Sequence, residues 1–125
     1  MILGVGIDTL ETDRMRRELA KEDGGLRDTV FTAGEVSDCE RTAHPAAHFA
    51  ARFAAKEAVI KALGGIREQD AAWRDLEVRD GPDGLPRVLL HGSAGRLAED
   101  RGVRRIRLSL AIGEDLATAL VVLES

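Results

Sequence analysis

Ala50 to Leu63 reads AARFAAKEAVIKAL, an alanine-rich run of good helix formers with no Gly or Pro inside it. At about 100° per residue, Phe49, Phe53, Ile60 and Leu63 fall on one face. Lys56 falls in the middle of that apolar arc, Arg52 lies at one edge, and Glu57 and Lys61 lie further round, one turn apart. The rest of the chain is organised around this helix. A lysine inside a buried stripe has two explanations. Its stem can lie in the core while its ammonium snorkels to water. Alternatively, Arg52, Lys56, Glu57 and Lys61 meet a charged ligand at the helix edge.

Before the helix, Ile2 to Ile7 (ILGVGI) reads as a buried strand, with Gly4 and Gly6 marking close approach by another backbone or by a ligand. It ends at Asp8, which is either a cap for the next element or a site residue. Thr12 or Asp13 can cap a helix to about Glu22, with Met15 and Leu19 inward and Arg14, Arg17 and Lys21 on another stripe. That stripe is a solvated face or a cationic surface for an acidic partner. Gly24-Gly25 breaks the helix. Thr32 and Glu35 make a capping box, Phe31 and Val36 a hydrophobic staple, and the short helix they start reaches about Arg41. The loop at His44-Pro45 leads into the central helix at Ala46 or Ala47.

Gly64-Gly65 ends that helix. A polar loop is expected over 66–72, followed by a strand introduced by Trp73 over Leu76 to Val78. The turn Asp80-Gly81-Pro82-Asp83-Gly84 returns the chain as a hairpin through Arg87 to His91. Ser93 can cap a helix to about Arg101, and strands follow over Arg105 to Leu110 and Ala117 to Leu123, the last being the most buried. The order β-α-α-α-β-β-α-β-β indicates an α+β fold with a mainly antiparallel sheet packed on a long central helix.

The 125 residues form one domain, 1–125, large enough for a real core. A net charge of −4 argues against general nucleic-acid affinity. No run is apolar and long enough to span a membrane, and the N-terminus lacks a basic-then-apolar signal pattern. The single cysteine, Cys39, allows no intrachain disulfide, which fits a reducing cytoplasm. Triad, CxxC, HExxH and phosphate-loop patterns are absent, and Gly4-x-Gly6 is a poor match to a dinucleotide fingerprint. A pair of carboxylates remains, Asp8 and Glu57, with Lys56 and Lys61 near the second. Two carboxylates that leave most positions to water and phosphate oxygens suit Mg²⁺ at a pyrophosphate, and the lysines would neutralise phosphate charge. Glu57 and Lys61 also make an ordinary i,i+4 pair.

These residues have a familiar order. Gly6-Ile7-Asp8 with Glu11, Phe31-Thr32 with Glu35, and Arg52-Phe53-Ala54-Ala55-Lys56-Glu57-Ala58 with Lys61-Ala62-Leu63-Gly64 resemble the holo-acyl-carrier-protein synthase type of 4′-phosphopantetheinyl transferase. The resemblance continues through Trp73-x-Asp75-Leu76-Glu77-Val78 and Gly84-x-Pro86-x-Val88-x-Leu90-x-Gly92 to the final strand pair, so it covers nearly the whole chain. It implies transfer of 4′-phosphopantetheine from coenzyme A to a serine of an apo acyl carrier protein, with release of 3′,5′-adenosine bisphosphate. By the same resemblance, Asp8 and Glu57 would hold Mg²⁺ on the coenzyme A pyrophosphate. Lys61 would sit by the phosphates, and Glu57 or a metal-held water would take the serine proton. Asp8, Glu57 and Lys61 are thus the expected catalytic residues. Arg52, Lys56, Lys61, Gly64, Gly65 and Ser109 are the expected coenzyme A contacts. Arg14 matches a family position that meets the acidic carrier protein, and Arg17 and Lys21 extend its stripe. The resemblance further implies a cytoplasmic homotrimer, with each active site between two subunits, acting in fatty acid or polyketide biosynthesis.

The chain departs from the family at two places. Leu63-Gly64-Gly65-Ile66-Arg67 is shorter than the usual loop after the central helix and lacks its threonine. The penultimate strand, which in the family ends Ser-x-Ser/Thr-His and approaches the coenzyme A nucleotide, here ends Ser109-Leu110-Ala111-Ile112. Losing a hydroxyl and an imidazole is expected to weaken coenzyme A binding by about one to two kcal/mol per charge-assisted contact. That predicts a slow enzyme, a shifted substrate preference or lost catalysis, and it motivates an alternative: a non-catalytic homologue that binds a carrier protein or a synthase complex. Retention of Asp8, Glu57 and Lys61 favours a working enzyme.

Overall fold

The computed structural model describes residues 1–65 and 72–125. Its elements are β1 (Ile2–Glu11), α1 (Thr12–Leu19), α2 (Gly25–Val30), α3 (Ala33–Glu40), α4 (Pro45–Ala62), a 3₁₀ turn (Trp73–Asp75), β2 (Leu76–Asp80), β3 (Pro86–Leu90), α5 (Gly92–Asp100), β4 (Arg105–Ile112) and β5 (Leu116–Glu124). The expected α+β class holds. β1, β5 and β4 form one antiparallel sheet in that order, β2 and β3 form a separate hairpin, and α4 packs along the first sheet.

Small side chains let α4 lie close to that sheet. Ala54, Ala55, Ala58, Val59 and Ala62 are buried together with Ala119, Val121 and Leu123 of β5. On β1, a Cβ added to Gly4 would stand 2.1 Å from the Ala62 carbonyl oxygen, and one added to Gly6 would stand 1.9 Å from that of Ala58. Of the two readings of these glycines, a neighbouring backbone is therefore the correct one. This contact sets β1 at van der Waals distance from α4 and brings Asp8, two residues beyond Gly6, alongside the helix. A second cluster joins Leu10, Met15, Phe31, Phe49 and Ala117, with Phe31 and Phe49 in an edge-to-face pair at 4.9 Å.

Several boundaries differ from expectation. β1 continues through Asp8 to Glu11, because β5 offers it partners as far as Leu116. Asp8 is therefore not a cap. Thr12 starts α1 without capping it; its hydroxyl donates to the Gly113 carbonyl instead, and the helix stops at Leu19. α2 follows Gly24-Gly25, where only a break was expected, and the Gly25 N–H donates to the Asp23 carboxylate at 3.0 Å. His91, not Ser93, precedes α5, and Trp73 lies in the 3₁₀ turn. The capping box is present: the Glu35 N–H donates to Thr32 Oγ1 and the Thr32 N–H donates to Glu35 Oε1. Gly64 and Gly65 close α4 at φ +85° and +88°. The expected loop over 66–72 and the altered Ile66-Arg67 lie, through residue 71, outside the described residues.

β1 and β5 were expected to be buried. Their inner faces are, but on the outer face of the sheet Val5 and Ile7 are 56% and 57% exposed and Leu120 is 41% exposed. Ile7 stands opposite Leu120 and Val5 opposite Val122, so these side chains form one apolar patch.

Candidate active site

α4 carries two lysines whose side chains have different roles. Lys56 is 0% exposed. Its Nζ donates to Glu35 Oε1 at 2.8 Å and to the carbonyl oxygens of Val30, Trp73 and Leu76 at 3.0, 3.0 and 2.5 Å. Glu35, also fully buried, accepts in addition from the N–H groups of Thr32 and Val78. Burial pushes the Lys56 ammonium below its ordinary range, and the Glu35 charge and hydrogen bond work against that. Lys56 neither snorkels nor meets a ligand. Every proton it can donate is taken by the protein, and it ties α2, α3, the 3₁₀ turn and β2 to the central helix. Arg52 is likewise interior. Its Nε donates to the Val78 carbonyl at 3.3 Å and its Nη2 to Asp80 Oδ1 at 3.0 Å. Arg52 and Lys56, both expected to contact coenzyme A, have their charges satisfied within the fold.

Lys61 belongs to a different environment. It is more than half exposed, and its Nζ donates to Asp8 Oδ1 at 2.9 Å and to the Ile7 carbonyl at 3.1 Å. Glu57, one turn earlier on the same side of α4, is half-buried. Burial raises its pKa first and the negative charge of Asp8 raises it further, while Lys61 and Arg14 pull it down. Asp8, Glu57, Lys61 and Arg14 are therefore electrostatic neighbours drawn from β1, α4 and α1. Two hard carboxylates that repel each other beside open solvent fit a divalent cation. Among the described residues no group of three or more His, Cys, Asp or Glu gathers as a metal cage, so such a cation would take its remaining oxygens from water and substrate.

The other expected site residues are scattered. Gly64 and Gly65 follow the α4 end, but their N–H groups already donate to the Lys61 and Ile60 carbonyls, so they offer close approach rather than hydrogen bonds. Ser109 is exposed on β4, opposite Leu120 on the outer sheet face. Arg14 and Arg17 are exposed on α1, and Lys21 just beyond it pairs with Glu18 at 2.9 Å. Arg14 borders a small notch with Leu10, Met15, Glu18, Leu26 and Phe53. Sequence reasoning missed the Glu35 half of the buried pair. The signal was present in Lys56 itself, since a cation in an apolar arc requires a buried counterion. Cys39 is buried and its thiol is pushed up to about 12 by burial, so it stays protonated.

The hairpin beside an antiparallel sheet on a long helix, with acidic residues and a lysine at one exposed edge, defines a compact α+β domain. Comparison with known proteins is specific. A family model described as the 4′-phosphopantetheinyl transferase superfamily matches residues 4–121. A holo-(acyl-carrier-protein) synthase from Solibacter usitatus is 41% identical over 125 residues, covering all of both chains. Among solved structures, the holo-(acyl-carrier-protein) synthase of Neisseria meningitidis superposes with a TM-score of 0.87 at 31% identity, over the whole of both chains. The synthase of Bacillus anthracis, in complex with CoA (3′,5′-ADP), superposes with a TM-score of 0.80 at 30% identity, covering 100% of this chain and 98% of that one. The chain belongs to the 4′-phosphopantetheinyl transferase superfamily, and within it to the holo-acyl-carrier-protein synthase type of phosphopantetheinyl transferase.

Proposed function

We propose that this enzyme transfers 4′-phosphopantetheine from coenzyme A to a serine of an apo acyl carrier protein, in a Mg²⁺-dependent reaction that releases 3′,5′-adenosine bisphosphate. The observation that carries the reading is the cluster at the α4 edge, where Asp8 and Glu57 stand together under the charge of Lys61 and Arg14. Asp8 and Glu57 would hold the metal, which when bound supplies charge neutralisation and polarisation at the pyrophosphate. Lys61, now paired with Asp8, is exposed enough to turn its ammonium to a phosphate oxygen. Glu57 takes the proton of the carrier serine. The serine oxygen forms a bond to the phosphorus bearing pantetheine, and the bond from that phosphorus to the bridging oxygen breaks, leaving the electron pair on adenosine bisphosphate.

Arg14, Arg17 and Lys21 would meet the acidic carrier. The outer sheet patch of Val5, Ile7, Leu120 and Val122 supports the homotrimer, because an exposed apolar face of this kind is ordinarily covered by a partner. In that assembly each site lies between two subunits, and each subunit is the single domain 1–125. Among the described residues no helix is long and apolar enough to cross a membrane, and the reading places the trimer in the cytoplasm with its carrier.

Mass spectrometry of apo carrier proteins incubated with the enzyme, coenzyme A and Mg²⁺ tests the reaction. A gain of one phosphopantetheine group, abolished by chelator and by Glu57→Gln, is expected. Absence of any gain across a panel of apo carriers, with metal-independent coenzyme A binding, would support the non-catalytic alternative instead.

A further inference from the structure

β1 and α4 meet backbone to backbone along one line. A Cβ on Gly4 would stand 2.1 Å from the Ala62 carbonyl oxygen; one on Gly6 would stand 1.9 Å from the Ala58 carbonyl oxygen and 2.8 Å from its carbon. Two residues up the strand thus correspond to one turn down the helix. The repeats match, since two strand residues rise about 6.6 Å and four helix residues about 6 Å. One further step along both elements brings Asp8 level with Ala54, and Glu57 projects from the turn between Ala54 and Ala58.

Gly4, Gly6 and Asp8 pair across the sheet with Leu123, Val121 and Ala119, which are buried with the α4 alanines, so the three share the face turned to the helix. After two glycines, Asp8 is the first side chain on that face. Lys61 holds the same stretch from the helix side, donating to Asp8 Oδ1 at 2.9 Å and to the Ile7 carbonyl at 3.1 Å. A short side chain on a strand that cannot shift sideways has a fixed reach. Close packing alone would explain Gly4 and Gly6 equally, but their places relative to the carboxylates differ. Gly6 is two residues from Asp8, and its contact Ala58 directly follows Glu57; Gly4 is four residues from Asp8, and its contact Ala62 is five beyond Glu57.

Resting on the transferase reading, we propose that Gly6 is a positioning residue for the metal pair: its contact with the Ala58 carbonyl fixes the separation of the Asp8 and Glu57 carboxylates and so selects a cation of Mg²⁺ size over one of Ca²⁺ size. Mg²⁺ takes oxygens at about 2.0–2.1 Å in a nearly ideal octahedron, whereas Ca²⁺ accepts about 2.3–2.6 Å and looser geometry. An alanine at position 6 forces β1 away from α4 by roughly 1 Å. That exceeds the tolerance of about 0.5 Å within which a working constellation is held.

Calorimetric titration with MgCl₂ and with CaCl₂, in the presence of coenzyme A and without carrier, tests the assignment. The readout is the ratio of the two dissociation constants, which a general loss of stability does not move. Gly6→Ala should shift that ratio about tenfold towards Ca²⁺. Gly4→Ala crowds the same helix and should lower the thermal midpoint too, yet it should leave the ratio within about twofold of wild type. Asp8→Glu lengthens the reach by one methylene without touching the contact, and it should also shift the ratio towards Ca²⁺. Combining it with Gly6→Ala should return the ratio towards wild type, because the longer side chain spans the opened gap. Equal shifts in Gly4→Ala and Gly6→Ala would overturn the role of Gly6, leaving a packing contact only. If Gly6→Ala does not fold, an Asp8→Glu ratio equal to that of wild type would overturn it instead. Carriers that gain mass while every variant keeps the wild-type ratio would leave the reaction standing and Gly6 without this role. Ratios that shift as expected with no carrier gaining mass would leave Gly6 its role and remove the reaction.

Discussion

Lys56 and Lys61 lie five residues apart on one helix, each within 3 Å of a carboxylate, yet they occupy opposite situations. The Lys56–Glu35 pair is wholly buried and every donor and acceptor is matched by backbone. The Lys61–Asp8 pair is open to solvent and stands beside Glu57, whose carboxyl is raised first by burial and then by the negative charge of Asp8. The same pairing of ammonium and carboxylate is a structural clamp where water is excluded and an exchangeable contact where it is not. Distance alone does not distinguish them; burial does.

Breaking the clamp should have the largest effect. Lys56→Met leaves the Glu35 carboxylate buried without its counterion and removes the Lys56 hydrogen bonds to three carbonyls, and should cost about 3–5 kcal/mol in urea unfolding. A cost below about 1 kcal/mol would erase the contrast between the two lysines. A smaller effect is expected at the proposed carrier surface, where Arg14→Glu should raise KM for the apo carrier about tenfold at low salt, move kcat less, and lose most of its effect at high salt. The smallest concerns Asp38, a second buried carboxylate on the structural side. Burial pushes its carboxyl up, but the Arg79 side chain at 2.9 Å and the Asp80 N–H at 3.1 Å bring it below the ordinary value overall. Because the folded state holds this proton less tightly than the unfolded state, the stabilisation is present above the ordinary carboxylate range. It disappears as pH falls through the depressed value. Asp38→Asn should therefore cost about 1 kcal/mol at pH 7, with the difference from wild type closing below about pH 4.

The parts of this molecule legible in the sequence are those set by local chemistry. The Asp-Gly-Pro-Asp-Gly turn gave its hairpin, Thr32 and Glu35 gave their capping box, and Gly64-Gly65 ended α4 where expected. Periodicity put Lys56 correctly in the apolar arc but could not say what covers it. The answer, Glu35, lies 21 residues away, and its capping role concealed its role as counterion. The partners of Arg52 were hidden for the same reason: Val78 and Asp80 come from a strand that only tertiary packing brings near. β1 was read as a buried strand because its outer residues, Val5 and Ile7, are as apolar as its inner ones. In the chain that face is open, with Val5 and Ile7 more than half exposed. α2 was missed because six residues after two glycines carry too little pattern to outweigh the break.

The contrast between the two lysines is tested most directly by Lys61→Met, comparing single-turnover transfer of phosphopantetheine with urea unfolding on the same preparation. The unfolding free energy should stay within about 0.5 kcal/mol of wild type, because the pair it removes is exposed. Transfer should fall about a hundredfold or more, because the phosphates lose a positioned cation. A Lys61→Met protein that transfers at the wild-type rate, or that unfolds as readily as Lys56→Met, would contradict the assignment of the exposed edge of α4 as the working half of the helix.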